Sequence, residues 1–286
     1  MKLLAYMFKL VFRLRPLRKY YFGLYKKLFR PCKLFRGVKT ITPYDRNFRV
    51  EAKLDDWIQQ QIFFFGIYDQ AGIRFLKKNL KPDDTFIDAG ANIGIYSLSA
   101  SAILKKETGG RIYAFEPVGE LFAQLQKNIL LNGADGITPV KAALYNENTK
   151  IDLYRSGREN LGMSSILHHD HESGTIETVE AVRLDDFIEQ NRIKRVNLLK
   201  LDIEGAELYA LKGMSGCLRT FRPVLLVEIN DNILEGKSVS TSETFTFLTC
   251  LGYAPYVLQT SGDVLPFNEL SSARETNFVF IPTLSE

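Results

Sequence analysis

Cysteine is scarce in this chain: 286 residues hold three, Cys32, Cys217 and Cys250, odd in number and far apart. That spacing builds neither a disulfide framework nor a cysteine metal site, so a reducing, cytoplasmic location is expected. Acids are absent from residues 1–36, which carry eleven Lys or Arg. Removing those from the formal charge of +4 leaves −7 for the remainder, so the basic character belongs to an N-terminal arm. Long apolar runs are missing too. Lys9 and Arg13 interrupt the arm's apolar residues, well short of the ~20 that a spanning helix needs. No apolar stretch leads into a small-residue cleavage site, which argues against a signal peptide. Internal repeats and low-complexity tracts are absent.

The arm mixes Leu3, Leu4, Met7, Phe8, Val11 and Phe12 with Lys and Arg, and Pro16 and Pro31 divide it into two short helices. Aromatics interleaved with cations fit a helix lying on an anionic membrane surface. They fit equally a basic cap packed on the core, and less well a nucleic-acid grip. Residues 37–84 read as a lead-in: a strand at Phe48-Arg49-Val50, a helix at 57–65, a loop at Gly66-Ile67-Tyr68-Asp69 able to close over a site, and a helix at 71–80.

From Thr85 onward apolar strands alternate with helical segments, the pattern of an α/β domain over residues 85–286 with a mostly parallel sheet and helices on both faces. Strands are expected at 85–87, 111–115, 138–144, 196–203, 223–229, 253–258 and 277–282, with helices between, including one unbroken helix at 206–219. Residues 150–182 interrupt the rhythm with extended runs around a polar loop. The first strand ends in Asp88-Ala89-Gly90-Ala91-Asn92-Ile93-Gly94. Ligands of such sheets sit outside the carboxyl ends of the strands, and Gly90 removes a Cβ from the approach. This turn holds neither G-x-G-x-x-G nor Gly-Lys-Ser/Thr, so it is no phosphate cradle. An acid there suits a cationic ligand carrying an amino acid and a nucleoside, which describes S-adenosylmethionine. Glu116 closes the second strand, roughly 20–30 residues after the turn, where an acid pairs with ribose hydroxyls; the bland alternative is a cap for the helix from Gly119. Asn92 is a candidate for the methionine end, and Asn128 and Asn132 for helix packing.

The fourth strand is unusual. A strand buried on both faces should be continuously apolar, yet Lys200, Asp202 and Glu204 alternate with Leu199, Leu201 and Ile203. Unpaired buried charge is costly, so these groups must pair, meet a cofactor or open onto the cleft. Glu204 and Glu207 are also placed to stabilise the next helix as N-terminal acids. Asp202, Glu228 and Asn230 at neighbouring strand ends could form an oxygen-rich Mg²⁺ site, although a hydrogen-bonding cluster without metal is preferred. All three histidines fall in His168-His169-Asp170-His171. They are candidates for a general base or a weak metal site, against the commoner reading of a solvated loop.

Together, Ile87-Asp88-Ala89-Gly90-Ala91-Asn92-Ile93-Gly94-Ile95-Tyr96, Phe115-Glu116-Pro117, Lys200-Leu201-Asp202-Ile203-Glu204-Gly205-Ala206-Glu207 with Leu211-Lys212-Gly213, and Val227-Glu228-Ile229 resemble the FkbM family of S-adenosylmethionine-dependent methyltransferases, over about residues 60–258. The resemblance implies a Rossmann-like class I methyltransferase sheet with its last strand antiparallel, and O-methylation of a hydroxyl on a sugar, glycan or other natural product. It implies that Asp88, Gly90, Asn92 and Glu116, with Gly94 in the same turn, bind the cofactor, and that Lys200, Asp202 and Glu204 line the reacting end. The basic arm lies outside the family domain, and Asp69 stands where a Glu is frequent. Rival readings are an RNA methyltransferase gripping its substrate through the arm, a non-catalytic protein that keeps the fold, and, last, a nicotinamide oxidoreductase.

Overall fold

The computed structural model describes residues 1–45, 47–155, 164–165, 175–229, 241–267 and 277–283. The candidate histidines His168, His169 and His171, and Asn230, lie outside the described residues.

The arm opens with α1 (Lys2–Arg13), and the chain then tightens into a 3₁₀ turn at Arg15–Tyr20 with Pro16 at its start. A single α turn, α2 (Tyr21–Leu24), widens into a π turn at Tyr25–Phe29. The arm is therefore one regular helix followed by an irregular helical stretch. A hairpin follows, β1 (Lys39–Tyr44) paired antiparallel with β2 (Phe48–Lys53). Helix α3 (Trp57–Phe65) starts where the Asp56 carboxylate accepts the Gln59 N–H at 2.9 Å, and ends at Gly66 in the left-handed region. Helix α3 is buried on two sides, and its buried Gln59 and Gln60 side chains are hydrogen-bonded to Gln124 and to the Leu54 carbonyl. Ile62 joins the main core, while Phe63 and Phe64 pack with Ala5, Phe12, Tyr21, Phe29 and Phe35 of the arm. Helix α4 (Gln70–Asn79) is capped by Asp69, whose side chain accepts the Gly72 N–H.

Among the described residues the main sheet has eight strands, in the order β13-β12-β14-β11-β10-β3-β4-β5. Strands β3 (Thr85–Ala89), β4 (Arg111–Phe115), β5 (Ile137–Val140), β10 (Leu198–Leu201) and β11 (Val224–Glu228) run parallel. β14 (Asn277–Pro282), the last strand, is antiparallel and lies between β11 and β12 (Tyr253–Leu258). β13 (Val264–Pro266) adds an edge that the sequence pattern did not announce. Helices α5 (Ile95–Ser101), α6 (Gly119–Asn132), α7 (Leu184–Gln190), α8 (Glu207–Gly213), α9 (Ser215–Thr220) and α10 (Thr241–Cys250) fill the connections, and two large apolar clusters form the core. This is a Rossmann-like α/β fold.

Besides the arm, and the strand expected at 196–203 that spans only Leu198–Leu201, three sequence expectations change. The strand expected at 138–144 is two elements, because the chain turns sharply after Val140 (Ala142 N–H to Val140 O, 3.0 Å) and leaves the sheet. β6 (Ala143–Leu144) instead joins a second sheet, order β6-β9-β7-β8, with β7 (Thr149–Arg155), β8 (Ser164–Ser165) and β9 (Thr175–Val182). The extended runs of 150–182 are thus a hairpin-based sheet and not isolated pieces. The helix expected at 206–219 breaks at Met214 into α8 and α9. Gly213 packs so close to the Tyr145 carbonyl that a Cβ there would lie 1.9 Å from the oxygen. No helix among the described residues is long and apolar enough to cross a membrane.

Candidate active site

The carboxyl ends of β3, β4, β10 and β11 meet at one pocket, and the sequence-predicted residues Gly90, Asn92, Glu116, Lys200, Asp202, Glu204 and Glu228 all line it. The register explains part of this convergence. Lys200 of β10 is the direct cross-strand partner of Asp88 on β3, which places a cation against a carboxylate inside a buried sheet.

Asp88 is fully buried. Its Oδ2 accepts the Ser97 hydroxyl at 2.6 Å, while Oδ1 lies 3.9 Å from Lys200 Nζ and has no hydrogen-bond partner among the described residues. Burial holds the carboxyl above the usual carboxylate range, and the Lys200 charge opposes that shift. Lys200 donates to Asp202 Oδ2 at 2.9 Å and to the Gly90 carbonyl at 3.3 Å, and sits 4.9 Å from the centre of the Tyr96 ring. Burial works to lower the Lys200 pKa, but Asp202 and Asp88 outweigh it and keep the ammonium charged.

Glu116 receives two backbone N–H groups, Asn92 at 2.8 Å and Val118 at 2.9 Å, one on each oxygen. It therefore braces both the glycine turn and the entry to α6, while each oxygen keeps a lone pair for a hydroxyl donor. Burial pushes its pKa up to about 7 against those bonds. Asn92 adopts a left-handed φ of 52° and folds its amide oxygen onto the Ile93 N–H at 2.8 Å. Gly90 (φ 74°) answers a constraint within the protein: a Cβ there would lie 1.8 Å from the Asp202 carbonyl oxygen. The missing side chain lets the turn close against the end of β10. Gly94 similarly leaves room for Leu125.

Of the three alternating charges, Lys200 alone lies within strand β10; Asp202 and Glu204 follow its end. Glu204 sits at φ 54° before Gly205 at φ 96°, two left-handed residues in succession, a strain of the kind that clusters at functional turns. Glu204 and Glu228 are pushed up to about 8, by burial first and then by Asp202. Glu207 takes the helix-start role, its Oε1 accepting the N–H groups of Ile203 (3.3 Å) and Gly205 (3.1 Å). Asn128 ties α6 to β2 and to the turn through Glu51 N and Ile93 O.

Sequence reasoning gave no separate role to Tyr96, and to Tyr68 only its place in the loop expected to close over the site. Tyr96 donates to Asp69, faces Lys200, and is admitted by Gly72, where a Cβ would collide with its hydroxyl. Tyr68 lines the pocket from the loop before α4, its carbonyl held by the Tyr44 hydroxyl at 2.9 Å. A tyrosine that follows a glycine turn reads as core in one dimension, so only its neighbours reveal it. Among the described residues no three His, Cys, Asp or Glu side chains converge as metal ligands.

These features suit S-adenosylmethionine. Glu116, Asp202, Glu204 and Glu228 line the pocket with carboxyl oxygens that can accept from ribose hydroxyls and an ammonium group, and Phe115, Leu121 and Leu144 give it an apolar wall. Of the five residues expected to hold it, Gly90, Asn92 and Glu116 line the pocket, whereas Asp88, fully buried, and Gly94 are not among its lining.

The family described as Methyltransferase FkbM domain matches residues 88–255. Methyltransferase 1 of Beauveria bassiana is 33% identical over 187 residues, covering 57% of this chain and 69% of the relative. The hexuronic acid methyltransferase AglP of Haloferax volcanii is 30% identical over 197 residues, 68% of this chain and 75% of the relative. The solved structure of the FkbM methyltransferase from Methylobacillus flagellatus KT overlaps 77% of this chain but 46% of its own length, at 17% identity and a TM-score of 0.46. With the glycine turn, Glu116 and the Lys200–Glu207 block assembled at one pocket and the family match spanning more than half of its length, this chain belongs to the FkbM methyltransferase family, whose members use S-adenosylmethionine.

Proposed function

We propose that this enzyme transfers a methyl group to a hydroxyl of a sugar, glycan or other natural product. The observation that carries the reading is the group of carboxyls lining the pocket beside Lys200, in which Asp202 lies 2.9 Å from its ammonium and burial pushes Glu204 and Glu228 up to about 8. A carboxylate tuned toward neutrality is suited to accept a proton from a hydroxyl. The cofactor supplies an electrophilic methyl group, so the chain's own tasks are placement and proton removal. Glu204 takes the hydroxyl proton. Lys200 holds Asp202 in place and keeps a positive charge beside the developing alkoxide. Tyr68 and Asp69 shape the acceptor side from their loop. Two relatives' names support parts of this reading: the Haloferax volcanii hexuronic acid methyltransferase a sugar acceptor, and the 31-O-demethyl-FK506 methyltransferase FkbM of Streptomyces tacrolimicus, 26% identical, transfer to oxygen.

The test is calorimetry of S-adenosylhomocysteine binding, with EDTA or with added Mg²⁺, followed by methyl transfer from labelled cofactor to a panel of uronic acids and glycans. An alkali-stable methyl ether as product is expected. An alkali-labile ester or an N-methyl product would overturn hydroxyl transfer, and binding that requires Mg²⁺ would bring Asp202 and Glu228 forward as ligands.

A further inference from the structure

Helix α1 buries one face and leaves the other bare. Ala5 and Phe12 are 1% exposed against α3, whereas Leu3, Met7, Leu10 and Leu14, spaced three and four residues apart on the opposite side, are 56–77% exposed. Tyr6 and Val11 flank that stripe and are also exposed. Of the fifteen exposed large apolar side chains among the described residues, ten lie within residues 1–28, so the stripe is a feature of the arm and not of the surface at large. The same arm carries cations in solvent, with Lys2, Lys19, Lys26, Lys27, Lys33 and Arg36 all exposed. Tyr20 and Phe22 stand out beside Lys19 and Lys26, whose ammonium groups lie 5.1 and 4.4 Å from the respective ring centres.

We propose that the arm docks the protein on an anionic lipid surface, with Leu3, Leu10 and Leu14 entering the acyl boundary and the arm's exposed lysines meeting the headgroups. Apolar insertion and cationic attraction are the two signals that together hold a peripheral protein on a membrane. Charge decides between occupants. A second copy of this chain would set the same acid-free cationic segment against itself across a two-fold axis. A nucleic acid would satisfy the lysines but leave the leucine stripe in water. Lipid satisfies both. Helix α3 carries the arm on Phe63 and Phe64 and lines the pocket with Ile58, so one helix separates the docking face from the pocket.

Co-sedimentation of the full chain with phosphatidylcholine vesicles containing about 30% phosphatidylglycerol tests this. Binding is expected to these vesicles, at least tenfold weaker to phosphatidylcholine alone and weakened by salt. The triple variant Leu3→Glu, Leu10→Glu, Leu14→Glu removes only exposed side chains. It should keep its circular dichroism spectrum and melting temperature while losing at least tenfold in vesicle binding. Lys26→Glu with Lys27→Glu should weaken binding severalfold without touching the stripe. Vesicle binding by the triple variant equal to that of the parent chain, indifference to phosphatidylglycerol, or a dimer in solution that the triple variant dissolves would each overturn the proposal.

Discussion

The pocket and the arm are both dense, buried clusters, built from opposite materials. At the pocket, Lys200 is clasped by Asp88 and Asp202 while Glu116, Glu204, Glu207 and Glu228 crowd the same strand ends. In the arm Phe8 meets Phe29 and Phe35 edge to face, Phe12 meets Phe64 in the same way, and Tyr21 stacks on Trp57, with no acid among residues 1–36. The aromatic cluster gains stability from every group it buries. The acidic cluster is costly to keep charged. One region is arranged for cohesion, and the other holds chemical potential that a cationic ligand relieves.

Breaking the pocket should have the largest effect. Gly90→Ala sets a Cβ against the Asp202 carbonyl at a φ that alanine avoids, so S-adenosylhomocysteine binding should vanish in calorimetry and the melting temperature should drop. Glu116→Ala should also abolish binding, by freeing the Asn92 and Val118 N–H groups. Glu204→Gln should leave cofactor binding within a few fold but cut turnover by about 10²- to 10⁴-fold. In the parent enzyme the rate should rise with pH up to about 8, as Glu204 loses its proton. A flat pH profile would remove Glu204 as the base.

Damage to the arm should read differently. Phe12→Ala empties a buried aromatic site and should cost ~3–5 kcal/mol in urea unfolding. Binding of S-adenosylhomocysteine should stay within about twofold, with the arm becoming sensitive to trypsin at its many cations. Loss of binding in that variant would mean that the two regions are coupled through α3.

The smallest effect sharpens the contrast in stability. Glu116 and Glu207 are held at about 7, and Glu204 and Glu228 at about 8. Between the ordinary carboxylate range and those values the folded chain binds more protons than the unfolded one, so the stability of the ligand-free protein should fall as pH rises through that window. Glu228→Gln should flatten the fall and stabilise the protein at alkaline pH by on the order of 1–3 kcal/mol, as thermal melts across pH would show.

Much of the pocket was legible in the chain. Asp88, Gly90, Glu116 and the charges at 200–204 stand out because each breaks a local rule: an acid at a strand end, a glycine where the turn closes, a cation in a strand that should be apolar. Tyr96 and Ser97 break no such rule, since an aromatic or a serine after a glycine turn satisfies the pattern of a buried helix. The second sheet was hidden for a related reason, because strand pairing between β6 and β9 spans nearly forty residues and leaves no local trace.

The sequence by itself determined the alternation of strands and helices, the segregation of charge into the arm, and the identity of most groups at the strand ends. Periodicity, composition and turn chemistry are local, and the side chains carry them wherever the chain goes. Tertiary structure alone decided that Lys200 stands across from Asp88, that Gly90 is required by Asp202, and that one face of α1 is buried while Leu3, Leu10 and Leu14 remain in solvent. Those are relations between residues far apart in the chain, fixed by strand register and by the space that neighbouring backbones leave.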